Sequence, residues 1–253
     1  MEEKQKVNEN EHTYDNGFHP KEVKLKENYK LYRYGIFYNI AHFIVISLTK
    51  FFLIFPKIFV WGFKTKGKKY KKYMKGSMIV SNHTHPCDAL IIGSFLWYKS
   101  FNVAVLQSNL GFGLVSTYFR LGGAVPIPED KKLFKRFNTE TVEHLKKGKN
   151  LLIYPEAALM PFCDHIRDFK SGAFQFAVMA NCKIIPTVFT YHKPKGFYKL
   201  TRRKKPCIHY NILPPYTIKD MGNKKLTVET ATKEIHEIMS NYFNEHSDYF
   251  KKS

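Results

Sequence analysis

Ser77-Met78-Ile79-Val80-Ser81-Asn82-His83-Thr84-His85-Pro86-Cys87-Asp88 decides how the chain is read. Ser77 to Val80 has the short apolar character of a buried strand, and Pro86 suits the first turn of a helix that continues through Ala89-Leu90-Ile91-Ile92 to Phe95-Leu96-Trp97. His83 then leaves a strand end while Asp88 sits in the first helical turn. If the intervening turn folds back, the carboxylate holds one ring nitrogen of His83 and leaves the other free to take a proton. Such a pair activates a hydroxyl supplied by the substrate, so no serine or cysteine nucleophile is required. His85 adds a metal reading, with His83, His85 and Asp88 as ligands, but it lacks a convincing outer partner. Cys87 is the nucleophile of a further reading, against which a packing role on the helix face is preferred.

Outward from this stretch the pattern is strand alternating with helix. Phe101 to Leu106 reads as a strand, Gly111 to Phe119 as a short helix, Ala124 to Ile127 as a strand, and Lys131 to Lys147 as a helix. Asn150 to Tyr154 is another strand, followed by a helix from Gly172 to Ala180 and a strand from Ile184 to Thr190. This predicts an α/β domain with a central, largely parallel sheet flanked by helices and with its sites gathered at strand ends. His83 and Glu156 both follow apolar strands and so line one cleft, unless Glu156 is a structural anion paired to a nearby cation. Lys199 to Lys205 is a basic run set in a hairpin between Phe197-Tyr198 and Ile208-His209-Tyr210, and Thr227 is the expected N-cap of the last helix.

Upstream, Tyr34 to Thr49 is mostly apolar, and a second apolar run goes from Phe51 to Phe63 around Pro56. Sixteen residues of helix rise only about 24 Å, short of a hydrocarbon core of roughly 30 Å. The reading preferred is a helical pair broken near Pro56 and dipped into one leaflet; a single tilted span from Tyr34 to Phe55 is the rival. The resulting division is a flexible polar tail (1–26), a membrane-anchoring helical segment (27–64) and a catalytic domain (65–253). The sequence carries 41 Lys and Arg against 21 Asp and Glu, a net charge of +20. Lysines from Lys64 to Lys72, directly after the apolar stretch, favour an anionic membrane at the cytoplasmic face. No helix-turn-helix, zinc-knuckle or RNA-recognition signature supports nucleic acid. The four cysteines form no Cys-x-x-Cys pair, which fits a reducing compartment.

Four blocks, in order, resemble the glycerolipid acyltransferase family that includes 1-acylglycerol-3-phosphate acyltransferases. Asn82-His83 with Asp88 is similar to its Asn-His-x4-Asp motif, and Gly123-Ala124-Val125-Pro126-Ile127 to the start of its Gly-x-x-x-Ile-x-Arg block. Tyr154-Pro155-Glu156 resembles the start of Phe-Pro-Glu-Gly-Thr-Arg and is followed by Phe169-Lys170-Ser171-Gly172, similar to Phe-Lys-x-Gly. Ile184 to Val188 resembles a Val-Pro-Val block. Two departures stand out: Pro128-Glu129-Asp130 replaces the second-block Arg, and Ala157-Ala158-Leu159 replaces Gly-Thr-Arg. Those arginines are associated with the acceptor's phosphate, so acceptor identity is open; Arg120, Lys131, Lys132, Arg167 and Lys170 are candidate substitutes.

The resemblance implies acyl transfer from acyl-coenzyme A or acyl-acyl carrier protein to the free hydroxyl of 1-acylglycerol 3-phosphate. His83 is then the base and Asp88 its orienting carboxylate. The implied substrate-binding set is Glu156, Asn82, Gly123, Pro155, Lys170, Gly172, Arg120 and Lys131. No metal or redox cofactor is expected, and the expected partners are membrane lipids, a lysophospholipid and, for one donor type, acyl carrier protein. Another lysolipid or membrane alcohol as acceptor, and an inactive lipid-binding protein, are the alternatives.

Overall fold

The computed structural model describes residues 21–96, 101–202 and 204–251. Trp97, Arg203 and most of the polar tail assigned to 1–26 lie outside the described residues. Seven strands form one sheet: β1 (Lys64–Lys66), β2 (Met78–Ser81), β3 (Val103–Leu106), β4 (Ala124–Ile127), β5 (Leu151–Ile153), β6 (Ile184–His192) and β7 (Cys207–Ile212). Their spatial order is β1-β7-β6-β2-β5-β3-β4, with β2 to β6 mutually parallel and β7 antiparallel to β6. Every residue of β2 and β5 is buried, as continuous apolar runs in a parallel sheet covered on both faces should be.

The helices are α1 (Ile36–Phe55), α2 (Asp88–Phe95), α3 (Leu114–Leu121), α4 (Lys131–Lys146), α5 (Gly172–Ala180), the short α6 (Tyr198–Thr201) and α7 (Lys224–His246). Successive parallel strands are joined through helices, so His83 and Glu156 leave adjacent strands, β2 and β5, at their carboxyl ends. That edge is where α/β sheets open a crevice.

Several expectations are corrected. The apolar N-terminal segment is a single helix and not a pair broken at Pro56: α1 runs on into a π-helical turn, Pro56–Val60, in which the Trp61 N–H reaches Pro56 O at 2.7 Å. Proline lacks the amide hydrogen that a regular turn needs, and the wider turn accommodates it without ending the helix. The basic stretch after it is partly strand, since β1 pairs parallel with β7. Phe197-Tyr198 is no hairpin arm; Tyr198 opens α6, and the arms are β6 and β7. The last helix is capped by Asn223, whose side chain accepts from Lys225 N and Leu226 N, while Thr227 lies a turn inside.

Two residues expected at the substrate are structural. Arg120 is 5 % exposed and donates to the carbonyls of Leu31, Lys30 and Ala124, tying the segment before α1 to the start of β4. Gly123 has φ +97, and a Cβ there would lie 2.0 Å from Phe101 O. Both precede β4, at the opposite end of the sheet from His83. Gly123→Ala is therefore expected to cost at least ~2 kcal/mol, since it adds both strain and a backbone clash. Chemical denaturation of the purified chain measures this, and a neutral substitution would contradict the packing.

Candidate active site

β2 ends because Asn82 turns its side chain to the neighbouring strand. Its Nδ2 donates to Phe189 O (3.1 Å) and its Oδ1 accepts from Phe189 N (2.8 Å), so the amide extends the ladder with β6 and is not available to a substrate. The main chain is thereby released into a turn that brings Asp88 back to His83. His83 Nδ1 and Asp88 Oδ2 are 3.4 Å apart, and the same oxygen accepts from Thr84 N (2.7 Å) and His85 N (2.9 Å). Asp88 is wholly buried as the first residue of α2, where the helix dipole also favours its charge.

The His83 ring lies flat on Tyr154, with centroids 4.1 Å apart and planes at 17°. Its side chain is 24 % exposed, and among the described residues no hydrogen bond engages its Nε2. The ring is thus held from two sides with one nitrogen open, the arrangement a general base needs. Cys87 does not compete as nucleophile, because burial pushes its thiol above the ordinary range.

Glu156 joins this centre from β5. Its Oε2 accepts from His83 N (3.2 Å) and from Arg167 Nη2 (2.8 Å), and its Oε1 accepts from Arg167 N (3.3 Å). Burial raises the Glu156 carboxyl above its usual range, and Arg167 offsets part of that rise. Arg167 also donates to Ala158 O. Pro155 is buried, its carbonyl accepting from Lys170 N at 2.8 Å, so the Phe-Lys-Ser-Gly segment is laced to the third block through backbone alone.

The remaining expected residues are more loosely placed. Lys170 is exposed at this edge, and Gly172 opens α5 in open space, with no neighbour that demands glycine. Lys131 follows β4, which stands three strand positions from β2, or about 14 Å away. His85 does not join His83 as a metal ligand. Its Nδ1 accepts from Cys87 N (3.1 Å), and its ring meets the edge of Trp61 at 5.1 Å. Among the described residues, the grouping whose donor atoms lie close enough to share an ion is Cys163, Asp164 and His165, on the loop between β5 and α5.

Residues 62–190 match the acyltransferase family model, half of the chain and all of the site just described. The chain belongs to the acyltransferase family. Its fold is similar to that of the 1-acyl-sn-glycerophosphate (LPA) acyltransferase PlsC from Thermotoga maritima, with a TM-score of 0.58 over 85 % of this chain and 90 % of that one, at 18 % identity. No curated protein matches the chain.

For this acyltransferase one departure in the third block carries a conformational cost. Ala157, standing where the resembled family has glycine, is held at φ 62. A side chain in that left-handed region costs roughly 1–2 kcal/mol. Ala157→Gly relieves it while adding about 0.4–1 kcal/mol of chain entropy to lose. The net expectation is a gain of about 0.5–1 kcal/mol, read as a higher denaturant midpoint at unchanged slope.

Proposed function

We propose that this acyltransferase moves a fatty acyl group from an acyl-coenzyme A or acyl-acyl carrier protein thioester to the free hydroxyl of 1-acylglycerol 3-phosphate. The observation that carries the reading is the His83–Asp88 pair, stacked on Tyr154 and joined through its backbone to Glu156. His83 Nε2 takes the proton of the attacking hydroxyl. Asp88 fixes the ring and favours the imidazolium that forms. Oxygen attack forms the new C–O bond and makes a tetrahedral centre; its collapse restores the carbonyl, now that of an ester, and breaks the C–S bond, and His83 returns the proton to the leaving thiolate. The reaction needs no resident metal or redox cofactor.

We place the acceptor's phosphate near Arg167 and Lys170, the cations that the loop after Glu156 brings to this edge. Leu159 at the position of the resembled family's arginine favours a second reading with the same chemistry and a different lysophospholipid as acceptor. Transfer of labelled acyl groups to a panel of lysolipids separates the two. His83→Ala is expected to lower turnover by about 10² to 10⁴-fold with the fold retained, the usual contribution of a positioned base. Normal turnover in that variant would refute the mechanism.

The enzyme is read as lying on the cytoplasmic membrane surface. One stripe of α1, His42, Ile46, Thr49 and Leu53, is buried against the domain, while Phe37, Phe51, Phe52 and Phe55 on other faces are 64–86 % exposed. A helix docked along one side offers lipid only its other side, which suits insertion into one leaflet rather than a span. Burying a phenylalanine side chain is worth about 1.5–3 kcal/mol, so Phe37→Glu with Phe51→Glu should lower partitioning onto vesicles by at least roughly 100-fold. Flotation assays with phosphatidylglycerol-containing liposomes measure it; unchanged flotation would place the anchor elsewhere.

A further inference from the structure

On the sheet face away from α1 and α2, the register of three strands assembles a basic recess. Lys64 stands opposite His209 and Lys66 opposite Asn211, while Thr190 on β6 is opposite His209 from the other side. Alternation along the strands puts Lys64, Lys66, His209, Asn211, Thr190 and His192 on one face. The other face at the same strands is apolar, with Phe63, Thr65 and Tyr210 meeting Ile91 and Phe95 of α2.

The floor of the recess is a connected polar network. Tyr242 of α7 donates to Asn211 Oδ1 (3.2 Å), Asn211 Nδ2 donates to Thr190 Oγ1 (2.9 Å), and that hydroxyl is 3.0 Å from His192 Nε2. His209 is left out of it. The residue is nine-tenths buried, its ring is stacked on His192 at 3.7 Å between centroids, and its Nδ1 has no hydrogen-bond partner among the described residues. Nitrogen buried in this way is costly unless something pairs with it. The charge around it is one-sided: Lys64 and Lys66 form the rim, His246 stands nearby, and Asp248 is the acid of the group, 3.7 Å from His192 Nδ1. Burial, then His192 and the two lysines, drive the His209 imidazole down to about 3. The site as it stands repels its own protons.

We propose that this recess binds a phosphate group, that of the coenzyme carrying the acyl thioester, with His209 Nδ1–H donating to a phosphate oxygen and Lys64 and Lys66 closing over it. The assignment to the donor rests on the acyl-transfer reading above. Two observations favour it. The recess lies on the opposite sheet face from the apolar helix, which argues against a lipid headgroup. His192 ends β6 three residues beyond Phe189, the residue Asn82 clamps, so the recess opens about 10 Å along the same sheet edge as His83.

The test uses the full chain in neutral detergent and titrates coenzyme A, and separately inorganic phosphate, by calorimetry. Wild type should bind coenzyme A, and Lys64→Gln with Lys66→Gln, both exposed, should weaken binding roughly tenfold, the usual effect of losing charge-assisted hydrogen bonds. The same variant should raise KM for acyl-coenzyme A by a similar factor, leaving kcat and KM for the lysolipid unchanged. Equal coenzyme A binding by variant and wild type would overturn the proposal. So would loss confined to phosphatidylglycerol vesicles, which would point to lipid, or loss confined to acyl carrier protein as donor, which would point to an acidic protein. The titration involves no acyl transfer, so it stands or falls apart from the proposed reaction.

Discussion

A wholly buried carboxylate sets the shape of everything around it. Asp88 cannot be desolvated without donors, because an unpaired charge in the interior costs several kcal/mol. The turn from His83 to Asp88 supplies them: Thr84 N–H and His85 N–H converge on Oδ2, and His83 Nδ1 approaches the same oxygen. A chain that satisfies those donors has little freedom left in where it puts the His83 ring. The clamp of Asn82 on Phe189 fixes the other end of the turn, so both flanks of the histidine are anchored by hydrogen bonds to different parts of the fold.

Glu156 extends the same logic to the third block. It gathers one backbone N–H from the histidine segment and one from Arg167, together with the Arg167 guanidinium. Through these bonds the loop from Tyr154 to Lys170 is tied to the turn that carries His83. The positive φ at Ala157 is the local cost of bending that loop sharply enough for Glu156 to face inward.

Much of this was legible in the sequence because the strand and helix runs alternate regularly: the strand Ala124–Ile127 and the helix Gly172–Ala180 fall where the pattern puts them. His83, Asp88 and Glu156 were legible because each sits directly after or before such a run. What was not legible depended on partners distant in the chain. Arg120 reads as a candidate for the acceptor's phosphate until residues 30 and 31 offer it carbonyls, and Lys64–Lys66 reads as part of a membrane-facing lysine run until β7 gives it a ladder. The glutamate–arginine contact spans eleven residues of irregular loop, which carry no periodicity to reveal it. Pro56 misled for a different reason: a π turn gives proline a way to stay in a helix, and no sequence pattern distinguishes that from a break.

The apolar helix and the chemistry are mechanically one piece. α1 docks by His42 on Leu121 O (2.7 Å), by Thr49 on the Tyr118 hydroxyl (2.5 Å), and through the π turn by Lys57 on Ser94 of α2 (2.7 Å). Trp61, at the end of that turn, touches the ring of His85, whose own N–H holds Asp88. Two contacts therefore separate the end of the helix from the Asp88 carboxylate. A lipid surface met by the bare face of α1 would stand at a height relative to His83 that these contacts set. On the function proposed above, the hydroxyl of a lysolipid resting in that surface would reach His83 along the membrane plane, without the lipid being lifted out of the bilayer.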